Sequence, residues 1–369
     1  MSGQEFFSKA FHSPDLKFYR HESPFTLESG ASLPEIQIAY RTWGTLNETG
    51  DNAVLITHGL TGSSDADQWW KPLFGDGKTF DATQEFIISS NVLGGCYGST
   101  GASSVNPKTG KRYGASFPLI TIRDMVAAQR LLVEFLGVKK LRLVIGGSMG
   151  GMLVLEWAVM FPDMVESICP IAVSGRHSAW CIAISEAERQ AIYADKHWQN
   201  GEYDLESPPA AGLAAARMMA IITYRAKQSF DIKFDRNRQP DNPDLFSVES
   251  YLRYQGRKLV DRFDANTYIT LTKAMDTHDL ARGRSSYVDV LKSISQPTLV
   301  VKIPSDILYL PEEQDELAAH IPNAELGVLD SPHGHDAFLI EGDMDALDKM
   351  VVGFQRRIRS EARTSKSSQ

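Results

Sequence analysis

The sequence contains little cysteine. Three cysteines occur in 369 residues, Cys96, Cys169 and Cys181, and none stands in a CxxC or Cys/His spacing. Three scattered thiols exclude a disulfide framework, and the missing spacing indicates no zinc site. We therefore expect no bound metal and a location in the reducing cytoplasm.

Long apolar runs and a dominant charge are also missing. No segment reaches the roughly 18 apolar residues needed to cross a bilayer, and the N-terminal segment lacks the apolar centre of a signal peptide. The formal net charge is -8, with acidic and basic residues mixed along the chain. This balance provides no broad attraction for nucleic acid or an anionic membrane surface. We expect small molecules as partners, and neither nucleic acid nor a membrane.

Apolar residues make up 43% of the chain, which is enough for a large core. Continuous apolar runs suit strands that are covered on both faces of a mostly parallel sheet. Residues 121–137 predict a helix with Met125, Ala128, Leu132 and Phe135 at helical spacing and a glycine at its end. Strands are predicted at 36–44, 53–59, 85–95, 141–148, 167–173, 297–306 and 324–330.

The alternation of strands and helices stops at about residue 176. Helix-like stretches follow, interrupted by the polar, turn-rich break RNRQPDNPD, and the alternation resumes near residue 293. We interpret residues 176–292 as a helical cap inserted into a core formed by 1–175 and 293–357. The polar, basic and serine-rich end, 358–369, is expected to be a flexible tail.

A glycine-rich turn joins an apolar strand to an apolar helix, GGSMG at 146–150. It matches the GxSxG nucleophile elbow in the strand–turn–helix context that the motif requires. Residues without Cβ atoms let strand and helix approach closely around a serine in a strained backbone conformation. We predict an α/β-hydrolase fold with a mostly parallel central sheet and an inserted helical cap, and Ser148 as its nucleophile.

A serine hydroxyl needs a base that is itself oriented by an acid. In this fold the chain order is serine, acid, histidine. Asp306 follows a late strand and His335 follows the last one, so we predict that Asp306 orients His335 and that His335 deprotonates Ser148. His333 is the alternative base, while His58 lies on an early loop and His278 in the cap.

An oxyanion formed on acyl attack needs two preorganised donors. One is the backbone N–H of the residue after the nucleophile, Met149. The second is expected from the loop after an early strand, where THGLTG at 57–62 makes the N–H of Leu60 the natural candidate. His58 is then a structural residue of that loop.

Six segments together resemble the homoserine O-acetyltransferase family: HGLTGSSDADQWW, NVLGGCYGSTGASSVNP, YGASFPLITIRDMV, GGSMGGMLVLEWA, SYLRYQGRKLVDRFDANTY and GHDAFLIE. The resemblance extends over residues 16–355. It implies transfer of an acetyl group from acetyl-CoA, as a co-substrate, to the hydroxyl of a small amino acid, homoserine, by a ping-pong mechanism. It also implies acyl-Ser148 as the intermediate, no bound cofactor, and a homodimer formed through the cap.

The resemblance agrees with the three catalytic residues and implies roles for three more. Arg217 matches the arginine that binds the substrate carboxylate, Tyr224 a tyrosine of the same pocket, and Asp336 the carboxylate that holds the substrate ammonium. A zwitterionic acceptor needs a cation and an anion on opposite sides of its reacting hydroxyl, so this set is chemically consistent.

The sequence does not determine the identity of the acyl acceptor or of the acyl donor. Two segments, QWWKPLFGDGK and SGRHSAWCIAI, are closer to fungal homoserine and serine O-acetyltransferases and to deacetylcephalosporin acetyltransferase. Serine and homoserine differ by one methylene, worth about 1–3 kcal/mol in a pocket, and succinyl-CoA is an alternative donor. A serine esterase and a non-catalytic binding protein are alternatives of other classes. Arg217 and Asp336 favour the transferase, and the complete triad argues against the binding protein.

Overall fold

The computed structural model describes residues 13–367, with side chains up to Glu361. Residues 1–12 and 368–369 lie outside the described residues, and with them much of the N-terminal segment examined for a signal peptide. Within the described range, no helix has both the length and the apolar character needed to cross a membrane.

An eight-stranded sheet forms the centre of the chain. Its strands are β1 Lys17–His21, β2 Ile36–Trp43, β3 Ala53–Thr57, β4 Phe86–Ser90, β5 Leu141–Gly147, β6 Ile168–Ile171, β7 Thr298–Lys302 and β8 Ala324–Val328. Their spatial order is β1-β2-β4-β3-β5-β6-β7-β8, with antiparallel pairing of β1 with β2 and of β2 with β4, and parallel pairing elsewhere. The predicted fold class, a mostly parallel α/β-hydrolase sheet, is confirmed.

The sheet has an apolar cluster on each face. In β3, Val54 and Ile56 belong to one cluster and Ala53 and Leu55 to the other, because successive side chains of a strand point to opposite faces. Two helices, α1 Ile122–Phe135 and α2 Met149–Met160, supply residues to the same cluster as Leu55. The terminal helix α10, Glu341–Ser367, covers the other face. Continuous apolar strands are the sequence signature of this arrangement.

Helices fill the interval between β6 and β7. Among them α4 packs against both α3 and α6, and a short strand hairpin precedes α6. The helices are α3 Ala179–Tyr193, α4 Ala210–Tyr224, α5 Lys227–Phe234, α6 Ser247–Val260, α7 Ala265–Asp276 and α8 Tyr287–Ser293, and α9 Pro311–His320 follows β7. Shorter helical turns are Ala66–Trp69, Lys71–Leu73, Gly114–Ser116, Gln199–Gly201 and Gly334–Leu339, and short strand pairs are Phe25–Thr26 with Ser32–Leu33 and Arg238–Gln239 with Asn242–Phe246.

Several elements differ from the sequence-based expectation. The edge strand β1 was not predicted, because its side chains are exposed or half-buried and form no apolar run. The turn-rich break near residue 240 is a short hairpin. Phe135 is 61% exposed in the last turn of α1, at the edge of the apolar stripe.

The expected flexible tail, 358–369, continues α10 as far as Ser367. Phe354 is buried against the sheet one turn before it, and the Arg359 guanidinium pairs with Glu85 at 3.2 Å, so the helix is anchored near the point where the tail was expected to begin. The boundaries of core and cap, 1–175, 176–292 and 293–357, stay a prediction.

Candidate active site

Ser148 stands in the sharp turn between β5 and α2. Its backbone has φ 59° and ψ -128°, a strained conformation for a residue with a side chain. The Ser148 N–H donates to the Ile171 carbonyl at 3.0 Å, which holds the turn to β6. A Cβ at Gly146 would lie 2.1 Å from Thr57 Oγ1, and one at Gly150 would lie 2.3 Å from the Thr57 carbonyl oxygen. Both glycines are therefore required by close packing against β3.

Asp306 and His335 form a buried pair. Asp306 follows β7, and its Oδ2 lies 2.7 Å from His335 Nδ1. Its Oδ1 accepts the backbone N–H groups of Leu308 at 2.8 Å and Tyr309 at 3.1 Å, so the carboxylate is fixed from both sides. Burial lowers the pKa of His335, but the charge and hydrogen bond of Asp306 outweigh burial and raise that pKa above its ordinary value.

Ser148 and His335 face the same cavity. No hydrogen bond joins the Ser148 hydroxyl to the imidazole in the described chain. Hydrogen bonds of this kind are often long without substrate and tighten in the substrate complex. The three residues predicted from chain order are thus brought together at one end of the parallel strands.

The loop that carries His335 is held by its preceding glycine. Gly334 has φ +70°, and a Cβ there would lie 2.5 Å from the backbone nitrogen of Ala226 in the cap. Its N–H donates to Ser305 Oγ at 3.0 Å, and Ser305 directly precedes Asp306. His333, the alternative base, instead places Nδ1 3.2 Å from Ser229 Oγ, away from the residues that line the cavity.

The other two histidines considered from the sequence, His58 and His278, form no hydrogen bond with a carboxylate among the described residues. His58 Nδ1 lies 2.8 Å from the Gly59 carbonyl and Nε2 accepts the Val92 N–H at 3.2 Å, so both ring nitrogens are occupied by backbone. Burial lowers the pKa of His58 to about 4 and that of His278 to about 3. Both rings are therefore neutral near pH 7, and His58 ties its loop to the end of β4.

The two predicted oxyanion donors, Leu60 and Met149, lie near Ser148. Met149 is the first residue of α2, and Leu60 lines the cavity. Within the described chain, neither backbone N–H donates to a protein acceptor. A Cβ on Gly59 would lie 3.9 Å from Ser148 Cβ, which shows how closely the Leu60 loop approaches the serine. A helix N-terminus and a nearby loop are the elements that can supply donors to a developing negative charge. The roles of Leu60 and Met149 as oxyanion donors stay a prediction.

A cavity of about 610 Å³ contains Ser148, His335 and the three side chains implied for substrate binding, Arg217, Tyr224 and Asp336. The Arg217 guanidinium lies 5.6 Å from the centre of the Tyr224 ring, and within the described chain it forms no ion pair. Burial raises the pKa of Tyr224, so its hydroxyl stays protonated and can donate.

Asp336 has a partner that sequence reasoning missed. Arg225 Nε lies 3.2 Å from Asp336 Oδ2, and Arg225 directly follows α4, which carries Arg217 and Tyr224. An acceptor ammonium would therefore share the carboxylate with an arginine. In the sequence, the only indication of a role for Arg225 was its position next to Tyr224.

Three further charged residues near the cavity were also missed. Lys258 and Arg262 line it, and both stand in the segment SYLRYQGRKLVDRFDANTY that carried part of the resemblance. Glu188 is buried on α3, where it accepts the Tyr268 hydroxyl at 2.9 Å. Burial raises the pKa of Glu188 to about 7, against the nearby charges of Arg217 and Arg189.

The described side chains offer no metal site. Among the residues the structure describes, no group of three or more histidine, cysteine, aspartate or glutamate side chains is arranged to hold a metal ion. The expectation that the chain binds no metal and no cofactor stays a prediction.

Comparison with known proteins identifies the family. Residues 52–342 match the family model of the alpha/beta hydrolase fold. A homoserine O-acetyltransferase of Chloroherpeton thalassium is 58% identical over 355 residues, which cover 96% of this chain and 93% of that protein. This relative is bacterial, and the expected likeness of two segments to fungal enzymes stays a prediction.

Solved structures agree on the fold but include two kinds of enzyme. The crystal structure of homoserine O-acetyltransferase from Bacillus anthracis has a TM-score of 0.85 at 28% identity, covering 92% of this chain and 97% of that one. Esterase E22 has a TM-score of 0.84 at 28% identity, covering 92% and 99%. Overall shape therefore does not separate transferase from esterase, whereas sequence identity does. With more than half of its residues identical to a homoserine O-acetyltransferase along almost its whole length, this chain belongs to the homoserine O-acetyltransferase family, acyltransferases built on the α/β-hydrolase fold.

Proposed function

We propose that this chain transfers an acetyl group from acetyl-CoA to the side-chain hydroxyl of L-homoserine, through an acyl-enzyme on Ser148. The proposal rests on the position of the Arg217 guanidinium. It lines the same cavity as Ser148 and forms no ion pair in the described chain. Glu188 is near enough for its charge to interact with that of Arg217, but no described carboxylate forms an ion pair with this half-buried guanidinium. Such a cation suits an anionic group of a substrate. A simple ester would leave it unused.

In the first half-reaction, His335 Nε2 takes the proton of the Ser148 hydroxyl as its oxygen attacks the thioester carbonyl carbon. The oxyanion is stabilised by the N–H groups of Leu60 and Met149. Collapse breaks the carbon–sulfur bond, and the imidazolium returns the proton to the CoA thiolate. Asp306 keeps Nδ1 protonated and stabilises the imidazolium.

In the second half-reaction, the acceptor hydroxyl replaces the thiol. Arg217 binds the acceptor carboxylate, Asp336 its ammonium, and the Tyr224 hydroxyl donates to the same ligand. His335 removes the proton of the acceptor hydroxyl, whose oxygen attacks the acyl carbon. The bond to Ser148 Oγ breaks, and the serine recovers its proton from His335. Holding both ends of the amino acid favours this hydroxyl over water, because it converts the step into an oriented intramolecular one.

The deciding experiment measures CoA release from acetyl-CoA with L-homoserine or L-serine titrated as acceptor, against a control without acceptor. We expect release to depend on the acceptor, with the higher kcat/KM for L-homoserine. A higher kcat/KM for L-homoserine would assign the enzyme to the synthesis of a methionine precursor. A higher value for L-serine would assign it to the synthesis of a cysteine precursor. Release independent of either amino acid would contradict the transferase and support an esterase. The same assay with succinyl-CoA in place of acetyl-CoA shows which acyl group the enzyme transfers.

We also propose that two copies associate through the cap and act in the reducing cytoplasm. Ile222 on α4, Ile232 on α5 and Tyr254 on α6 are 48%, 67% and 52% exposed, and an interface would cover such apolar side chains. The three described cysteines are free and buried, which suits a compartment without disulfides. Light scattering that detects only a monomer would contradict the dimer.

A further inference from the structure

The cavity carries a charge opposite to that of the whole chain. Four cationic side chains, Arg41, Arg217, Lys258 and Arg262, line it, against two carboxylates, Asp65 and Asp336. The complete sequence has a formal net charge of -8. A positive cleft in an acidic protein concentrates anionic ligands.

Arg41 has carboxylate partners within the protein, and Arg217 has a proposed role at the acceptor. The Arg41 guanidinium contacts Asp65 at 3.1 Å and Asp67 at 3.0 Å, so its charge is balanced within the protein. Arg217 lies near Tyr224, where it suits the acceptor carboxylate. Neither is available for the far end of a donor.

The other two cations are Lys258, in the last turn of α6, and Arg262, two residues after the helix ends. Arg262 donates to the Thr61 carbonyl at 2.8 Å and to the Tyr97 hydroxyl, so its guanidinium is held against the loop that carries Leu60. Lys258 lies about one helical turn earlier. Its side chain is solvent-exposed, and within the described residues it forms no ion pair.

The solvent exposure of the lining residues distinguishes the floor of the cavity from its mouth. Ser148 is 9% exposed at the floor, whereas Lys258 belongs to the exposed surface. Acyl-CoA has the same polarity, since its reacting thioester is uncharged and its opposite, nucleotide end carries the phosphates. A flexible ammonium at the mouth is well suited to a phosphate that stays partly hydrated.

We propose that Lys258 binds the phosphates of the acyl-CoA donor at the mouth of the cavity, with Arg262 beside it. This subsite rests on the proposed function, because it assigns a place to the nucleotide end of the donor. It makes Lys258 a determinant of donor binding that touches no reacting atom.

The test compares two donors with the same reacting end, acetyl-CoA and S-acetylpantetheine, which lacks the phosphates. We expect Lys258→Ala to raise the KM for acetyl-CoA about fivefold to tenfold, the effect of one charge-assisted contact at a partly exposed site. Its kcat, and both constants with S-acetylpantetheine, should match those of the unchanged enzyme. Lys258→Arg should restore most of the affinity. Arg257→Ala, the exposed neighbour outside the cavity lining, is the matched control and should change neither donor.

A binding measurement separates this inference from the proposed function. Adenosine 3′,5′-bisphosphate, the nucleotide end of CoA alone, should bind the unchanged protein in calorimetry and bind Lys258→Ala several-fold more weakly. An unchanged KM for acetyl-CoA in Lys258→Ala, or an equal rise with both donors, would overturn the subsite while leaving the transferase intact. If the unchanged enzyme releases no CoA in response to any amino acid, the proposed function fails instead.

Discussion

Polar groups on the core side and on the cap side of the cavity differ in how far they are paired within the protein. On the core side, Asp306 accepts three hydrogen bonds and Ser148 is held to β6 through its backbone. On the cap side, Arg217 and Lys258 form no ion pair within the described chain. The core thus fixes the groups that we propose to react, and the cap presents charges that a ligand can neutralise.

This division has a physical reason. Groups that transfer protons must be preorganised to within a fraction of an ångström, and hydrogen bonds to backbone supply that rigidity. A cation that recognises a substrate gives most affinity when no protein carboxylate competes for it. Changes on the core side should therefore reduce the rate of acylation, and changes on the cap side should reduce the affinity for one substrate.

The largest effect is expected from Ser148→Ala. Removal of the nucleophile should lower CoA release by about 10⁴-fold or more and abolish acyl-enzyme formation, as detected by mass spectrometry of the protein after acetyl-CoA is added. Ser89→Ala is the matched control, because this buried hydroxyl on β4 has no partner in the described chain. Normal turnover by the Ser148 variant would contradict the assignment of the nucleophile.

Asp306→Asn is expected to have the next largest effect and a distinct pH signature. The base must be neutral, so acylation is lost as the pH falls through the pKa of His335, which lies above its ordinary value. Without the Asp306 charge, burial of the imidazole lowers that pKa, and the acid limb of the kcat/KM profile should move to lower pH. The rate at the optimum should fall by about 10³–10⁴-fold. An acid limb that does not move would show that His335 is not the titrating base.

Arg217→Ala should separate the two half-reactions. We expect the KM for the amino acid to rise about 30-fold or more, as for loss of a buried charge-assisted contact. The rapid acylation of Ser148 by acetyl-CoA, followed by stopped-flow measurement of the first turnover, should be unchanged. Arg253→Ala, an exposed cap arginine paired with Glu249, is the control and should affect neither step. Equal loss of both half-reactions would refute the role of Arg217 in acceptor binding.

The fold, and the candidate catalytic residues that the structure places together, could be predicted because their signals are local. Strands buried on both faces are apolar runs, so β3 and β5 could be placed to within two residues of their observed ends. The elbow around Ser148 is a contiguous motif, and the order of Asp306 and His335 follows from the fold. β1 could not be found in this way, since an edge strand with exposed side chains has no apolar run.

The roles of the charged groups around the cavity were harder to predict. Whether such a group is neutralised within the protein depends on partners that are distant in sequence. Arg41 and Lys258 are both cations on the cavity wall, yet Arg41 is balanced by Asp65 and Asp67, whereas Lys258 has no such partner in the part of the chain that the structure describes. Arg225 reaches Asp336 only because Gly334 lets the histidine loop pack against the cap. No spacing along the chain distinguishes these cases.

By itself, the amino-acid sequence determined the α/β-hydrolase fold, the nucleophile elbow and the chain order of the acid and the histidine, since each follows from apolar periodicity or from a contiguous motif. Only the tertiary structure decided which charges are neutralised inside the protein and which face the cavity. The reason is that electrostatic pairing depends on distances of a few ångströms between side chains. Residues far apart in sequence acquire those distances only when the core and the cap come together.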